Sequence, residues 1–323
     1  MAADLISKID KRFNWLPDGA GLSVFLELLM TVAEKRVRGL SIWKNLKSIH
    51  PLKGGVSNAS FTVEDASGKF VARVGEDYPF HQVSRLREAI ASKAAFEAGL
   101  SPQVVHIEQG LMVVRHIDAR TYEEVDVRAN AQACVDMIMR CHRDMGKRVG
   151  GQGAIFWVFQ ILRDYAETLN AASHTRSSEI SRWLRIVDGL EAAQVPMPII
   201  FGHHDLLPTN FMDDGKRLWL IDWEYGAFGT AIFDLANIAA ANSFDEKLEN
   251  QMLLQYFGRS PDLAIKRAYY AMKVAAALRE AMWGMISELY LNAPGVDYVA
   301  YATEYLGRFE VILKNYETRF ETL

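Results

Sequence analysis

Between Phe201 and Gly226 the chain gathers side chains whose types could do chemistry: His203, Asp205 and Asn210 form H-x-D-x4-N, and Asp222 follows seventeen residues after Asp205, directly behind the apolar run Leu218 to Ile221. A carboxylate such as Asp205 can orient a hydroxyl and accept its proton. Asn210 and Asp222 supply hard oxygen ligands of the kind that hold magnesium beside phosphates. Base and ligands together suit transfer of a phosphoryl group to a hydroxyl. An aspartate and an asparagine five residues apart mean little alone, since both are common loop formers. The full string, continued by Phe233-Asp234-Leu235-Ala236-Asn237, is far more specific. Asp234 also reads as the N-cap of the helix that follows.

This string resembles the catalytic loop and metal-binding aspartate of the protein-kinase superfamily, in its small-molecule branch of choline, ethanolamine and aminoglycoside kinases. The resemblance implies ATP and Mg2+ as cofactors, Asp205 as catalytic base with His203 holding the loop backbone beside it, and Asn210 and Asp222 as metal ligands. It makes Asp234 a brace for the loop and leaves His204 at a position without an assigned role. Earlier in the chain, Leu52-Lys-Gly-Gly-Val-Ser-Asn-Ala-Ser60 matches the G-G-x-[ST]-N string of choline and aminoglycoside kinases. Gly54, Gly55, Ser57 and Asn58 would then cover phosphate oxygens. Arg73 stands where such enzymes place the cation that grips the phosphates, in preference to Lys69, and Glu88, fifteen residues on, is its implied ion-pair partner. Arg keeps the charge of the more usual Lys and adds a bidentate fork. Val114 to Ile117, with Val114 and His116 named, would be the hinge whose backbone faces adenine.

The acceptor is read from two places. Trp223, Glu224 and Tyr225 follow the metal aspartate, and Glu280, Trp283 and Tyr290 share a face of a long helix. Aromatic faces with a carboxylate nearby suit a quaternary ammonium, and matching positions border the substrate amine in choline and ethanolamine kinases. The stretch before Trp283 reads Ala277-Leu-Arg-Glu280 and carries no second tryptophan, which makes ethanolamine or another amino alcohol a rival to choline. Aromatics at helical spacing are more often core residues. The expected partners are therefore ATP and a small, hydroxyl-bearing, cationic acceptor. An aminoglycoside or sugar acceptor is the alternative within the superfamily, and a non-catalytic nucleotide-binding pseudokinase the alternative outside catalysis.

These residues need elements to position them. Residues 1–40 read as an amphipathic helical extension with Phe25, Leu28, Leu29 and Val32 on one face. Phe61–Val63, Phe70–Val74 and Leu111–Ile117 are strand-like, with one helix over Val83–Ala98 stopped by Gly99. After Thr121 the period is helical, apart from a hairpin around Asp213–Lys216. The expected fold is α+β and protein-kinase-like: a helical extension at 1–40, a small nucleotide lobe at 41–117 and a larger, mainly helical lobe at 118–323. With 36 Lys+Arg against 40 Asp+Glu in 323 residues, the chain lacks the basic excess of a nucleic-acid binder. Leu22 to Ala33 is too short for a membrane span, and charges precede any hydrophobic run, so the cytoplasm is the default compartment. Cys134 and Cys141, two helical turns apart, lie too far apart for a disulfide. Oligomeric state is left open, a homodimer included.

Overall fold

The computed structural model describes residues 31–52, 58–291, 293 and 295–320. The small lobe is an antiparallel sheet in which β1 (Ser48–Pro51), β2 (Ala59–Asp65), β3 (Gly68–Val74), β4 (Val104–Glu108) and β5 (Leu111–Arg115) lie in the order β1-β2-β3-β5-β4. The alternation of Phe61 and Val63 on β2 and of Phe70 and Ala72 on β3 turns these side chains to one face. There they pack with Val113, Ala33 and Val37. The described end of the N-terminal segment, helical at 31–38, is thus built into the small-lobe core through Ala33 and Val37. Val32, expected on the apolar face, is exposed instead, because the buried stripe runs through its neighbour. Phe25, Leu28 and Leu29 lie outside the described residues.

Helix α1 (Arg85–Glu97) crosses between the lobes. Its buried side is mostly alanine (Ala89, Ala91, Ala94 and Ala95), which permits close approach, and Gly99 at φ +69° ends it. The short strand β6 (Arg120–Thr121) then leads into the large lobe, where α2 (Glu124–Ala129), α3 (Ala131–Asp144), α4 (Val158–Ala171) and α5 (Ile180–Ala192) follow. Four further strands interrupt the helices: β7 (Ile199–Gly202), β8 (Phe211–Asp213), β9 (Leu218–Leu220) and β10 (Ala227–Thr230). β8 and β9 form the expected hairpin, whereas β7 pairs with β10. The chain finishes with α6 (Ala231–Ala241), α7 (Glu246–Phe257), α8 (Leu263–Tyr290) and α9 (Tyr298–Phe320).

Helix α8, capped by Asp262, is buried along most of its length and forms the axis on which the large-lobe core is assembled. A helix apolar nearly all round has neighbours on every side, so the charged pair Arg279 and Glu280 inside it stands out. Cys134 and Cys141 are free and buried. Among the described residues no helix is long and apolar enough to cross a membrane.

Candidate active site

The loop between β7 and β8 carries His203, Asp205 and Asn210, and it is held by side chains from α6. Asp234 accepts the backbone N–H of His203 (2.9 Å) and of His204 (2.8 Å), and His142 on α3 donates to the same carboxylate at 2.9 Å. Burial would lift the Asp234 carboxyl, but His204, His142 and these N–H donors outweigh it and hold it well below the usual carboxylate range. Asn237 accepts the Leu206 N–H, and Asn242 donates to the Leu206 carbonyl at 3.1 Å. Asp234 is not the N-cap: α6 begins three residues earlier at Ala231, after Thr230.

His203 is wholly buried and bonds through Nε2 to the Ile221 carbonyl at 2.9 Å, tying the loop to the residue before Asp222. Its ring also packs against Trp223. His204 has a structural role the sequence left unassigned. It sits at φ +62° with its ring stacked on Phe156 at 4.3 Å and 3°. A Cβ on Gly202 or Gly229 would come within 2.7 or 2.8 Å of that ring, so both positions require glycine.

Asp205 and Asn210 stand together, the Asn210 amide donating to the Asp205 carbonyl at 2.8 Å and to its carboxylate at 3.2 Å. With its nitrogen turned to Asp205, Asn210 keeps its amide oxygen for another partner. Burial pushes the Asp205 carboxyl well up, and Arg279 beside it only partly opposes this. Asp222 adopts φ +67°, rare for a non-glycine residue, which reverses the chain behind β9. Arg73 joins it to the small lobe: Nη2 lies 3.0 Å from Asp222 and Nη1 2.9 Å from Glu88. Burial would lift Asp222, but the Arg73 charge holds it below its ordinary value. An ionised carboxylate and an amide oxygen are a donor set that fits magnesium, which completes its shell with water and phosphate oxygens. Among the described residues no three His, Cys, Asp or Glu side chains converge as a metal cage. The expected pair Arg73 and Glu88 is thus assembled, and Lys69 is exposed on the strand.

The other nucleotide-side predictions fall out unevenly. Gly54, Gly55 and Ser57 lie outside the described residues. Asn58 packs over Gly75, where a Cβ would meet its Oδ1 at 2.1 Å. It lines a small cleft with Arg73, Arg85, Glu88 and Met112. In the expected hinge, Val114 is paired within the sheet. The N–H of Arg115 goes to the Gln103 carbonyl and that of His116 to the Lys69 carbonyl. The His116 amide is therefore committed to the sheet edge.

The residues expected on the acceptor side are placed unevenly. Trp223 was expected beside the substrate, but its side chain is buried, donates to the Ser101 hydroxyl at 2.7 Å and packs on His203. Glu224 is paired with Arg85 at 3.0 Å, and Arg85 also meets Glu88 at 2.6 Å. Burial and then Asp222 push the Glu224 carboxyl up to about 7. Arg85 went unpredicted, although its place three residues before Glu88 on a helix was a readable signal. Tyr225 and Trp283 do come together, the indole donating to the Tyr225 hydroxyl at 3.0 Å. Arg279 lies over the Tyr225 ring at 4.3 Å, 2.9 Å from Glu280 and 3.6 Å from Asp205. Tyr301 donates to the other oxygen of Glu280. Tyr290 is half-exposed at the end of α8, stacked on Phe80 rather than turned to Asp205.

Residues 49–257 match the model of the choline/ethanolamine kinase family. Protein LicA of Haemophilus influenzae is 23% identical over 208 residues, which are 63% of this chain and 61% of that protein, so the chain spans about three fifths of that relative's length. A choline/ethanolamine kinase family protein from Mesorhizobium loti has a solved structure with TM-score 0.69 and 27% identity, covering 91% of this chain and 95% of that one. LicA in complex with AMP has the same fold at TM-score 0.69 and 20% identity, over 89% of this chain and 97% of that one. The two-lobed α+β arrangement expected from the sequence is the one found, and the chain belongs to the choline/ethanolamine kinase family.

Proposed function

We propose that the protein transfers the γ-phosphoryl group of ATP to the hydroxyl of a small alcohol, with choline, ethanolamine or a related amino alcohol as the acceptor class. The observation that carries this reading is the assembly of Asp205 and Asn210, on a loop clamped by Asp234, opposite an Asp222 bridged by Arg73 to Glu88. The acceptor oxygen attacks the γ-phosphorus and the bond from that phosphorus to the bridging oxygen breaks, its electrons leaving with ADP. The hydroxyl proton passes to the Asp205 carboxylate. A carboxyl lifted by burial is a stronger base than an ordinary aspartate, which suits this role.

Magnesium would be held by the Asn210 amide oxygen and Asp222, where it would neutralise phosphate charge. Arg73 would grip the phosphates, Asn58 together with the Gly54, Gly55 and Ser57 of the matching string would supply further donors to them, and Glu88 would keep Arg73 in place. The AMP held by the structurally similar LicA supports a nucleotide in this cleft. A pseudokinase has no need to keep Asp205, Asn210 and Asp222 together.

Asp205→Ala tests the reading. Acceptor-dependent ADP release should fall by about 10²–10⁴-fold while binding of a fluorescent ATP analogue persists. Unchanged turnover would remove Asp205 from its role.

A further inference from the structure

A quaternary ammonium has no N–H to donate, so it is recognised by open aromatic faces within about 6 Å. In this pocket one face of each of the two rings is taken. The guanidinium of Arg279 covers Tyr225 at 4.3 Å, and His81 stacks on Trp283 at 5.0 Å and 18°. His81 is itself fixed between the hydroxyls of Tyr165 (3.0 Å) and Ser287 (2.9 Å). The carboxylates that would attract an ammonium are occupied as well: Glu280 by Arg279 and Tyr301, and Glu224 by Arg85. The chain carries its own cation where a ligand's would sit.

That cation is incompletely satisfied. Arg279 is 1% exposed, and its Nη1 serves Glu280, yet Nε and Nη2 have no hydrogen-bond partner among the described residues. Buried unpaired donors on a charged group are costly and call for oxygen acceptors. Nη1 lies only 3.6 Å from the Asp205 carboxylate, so a substituent two or three bonds from the hydroxyl under attack comes within reach of the guanidinium.

We infer that Arg279 is a specificity-determining residue that closes the aromatic pocket to quaternary ammonium and selects an alcohol bearing a carboxylate or equivalent oxygen group, such as a hydroxy acid or hydroxy amino acid. This rests on the phosphoryl-transfer reading above and moves its acceptor from choline to alcohols that carry an oxygen group. The guanidinium fork takes the oxygen group, and any amine on the acceptor is left to hydrogen-bond with the carboxylates of the cleft.

The test is acceptor-dependent ADP release by the full chain with ATP and magnesium, using choline, ethanolamine, L-serine, L-homoserine and D-glycerate. The expected result is a kcat/KM for choline at least about 10²-fold below that of the best carboxylate-bearing alcohol. Arg279→Met combined with Glu280→Gln removes both buried charges together, which avoids stranding one of them. This double variant should narrow the ratio at least about tenfold, mainly through KM: lower for choline, higher for the carboxylate-bearing acceptor. Wild-type protein that prefers choline, or a ratio the double variant leaves unmoved, would overturn the role of Arg279 while leaving the kinase reading intact. No ADP release with any of the five, from protein that still binds ATP, would overturn both.

Discussion

Two arginine bridges of the same composition sit on either side of the cleft, and they differ in how far water reaches them. Arg73 joins Glu88 to Asp222 and keeps 19% of its side chain exposed; Arg279 joins Glu280, approaches Asp205, and is 1% exposed beneath the Tyr225 ring. An open bridge can exchange a carboxylate for a phosphate without stranding a charge. A closed one cannot be taken apart cheaply, because each ion is the other's replacement for water. On the proposed reading the open bridge is the one that can release a carboxylate to a phosphate, and the closed one sets which acceptor group fits beside Asp205.

The sharpest way to break this contrast is to cut each bridge at its glutamate. Glu280→Ala leaves the Arg279 charge buried without its closest partner and should destabilise the fold by about 3–5 kcal/mol in chemical denaturation. The companion change, Glu88→Gln, keeps the shape and hydrogen-bonding reach of the side chain. It should alter stability less, because Arg73 keeps Asp222 and Arg85 keeps Glu224, and lower kcat/KM for ATP roughly tenfold to hundredfold, because Arg73 loses the anchor that aims it. Equal stability losses in the two variants would mean that burial does not separate the bridges. Arg73→Lys extends the test: one ammonium cannot reproduce the two-pronged contact with Glu88 and Asp222, so a loss in kcat/KM similar to that of Glu88→Gln is expected.

The open side was legible in the sequence and the closed side only in part, through Tyr225, Glu280 and Trp283, for a physical reason. In the proposed reaction Asp205, Asn210, Asp222, Arg73 and Glu88 would meet a nucleotide and a metal whose geometry is fixed from outside the chain, so their types and spacings would be constrained together. The β8–β9 hairpin and the long helix α8 were legible too, since turn chemistry and hydrophobic period are local properties. The acceptor pocket is set by tertiary partners. Nothing local says that Trp223 turns inward to Ser101, that His81 from the small lobe covers Trp283, or that Arg279 lies on Tyr225. One signal was available: Arg279 and Glu280 sit side by side in an otherwise apolar run from Val274 to Met285, and an ion pair placed there has to be resolved inside the core. Pairing of β7 with β10 was missed because β10 reads Ala227-Phe-Gly-Thr230, four residues with little alternation.

The closed side also predicts how the fold answers acid. Burial, then the charge of Arg279, press the His81 imidazole down to about 3, and burial presses His204 down to about 4. In the unfolded chain both return to about 6.5. Below that pH the unfolded state takes up protons that the native state refuses. The stabilisation is therefore complete above pH 6.5 and is lost as pH falls toward 4 for His204 and 3 for His81. Each histidine contributes a slope of about 1.4 kcal/mol per pH unit in that window. Denaturation midpoints between pH 7 and 5 measure it, and His81→Gln should remove about half of the combined slope. A slope unchanged in that variant would place the acid sensitivity elsewhere.

The smallest effect is expected where the comparison has an edge. Tyr290 was expected to line the acceptor pocket with Trp283, yet it is 50% exposed and its ring stacks on Phe80 at 4.9 Å, outside the closed cluster. Losing one exposed aromatic pair forfeits about 0.5–1.5 kcal/mol at most, with the lower end appropriate where water already reaches the rings. Tyr290→Ala should therefore shift the denaturation midpoint only slightly and change the acceptor KM less than about twofold, since it removes no group that touches Arg279, Tyr225 or Asp205. Trp283→Phe, two turns back on the same helix, serves as the internal reference. It deletes the N–H that holds the Tyr225 hydroxyl and frees the ring on which Arg279 rests. If Tyr290→Ala moved KM as much as Trp283→Phe does, the pocket would extend along the whole exposed end of α8. The boundary drawn between the closed cluster and the surface would then have to move outward to include Phe80.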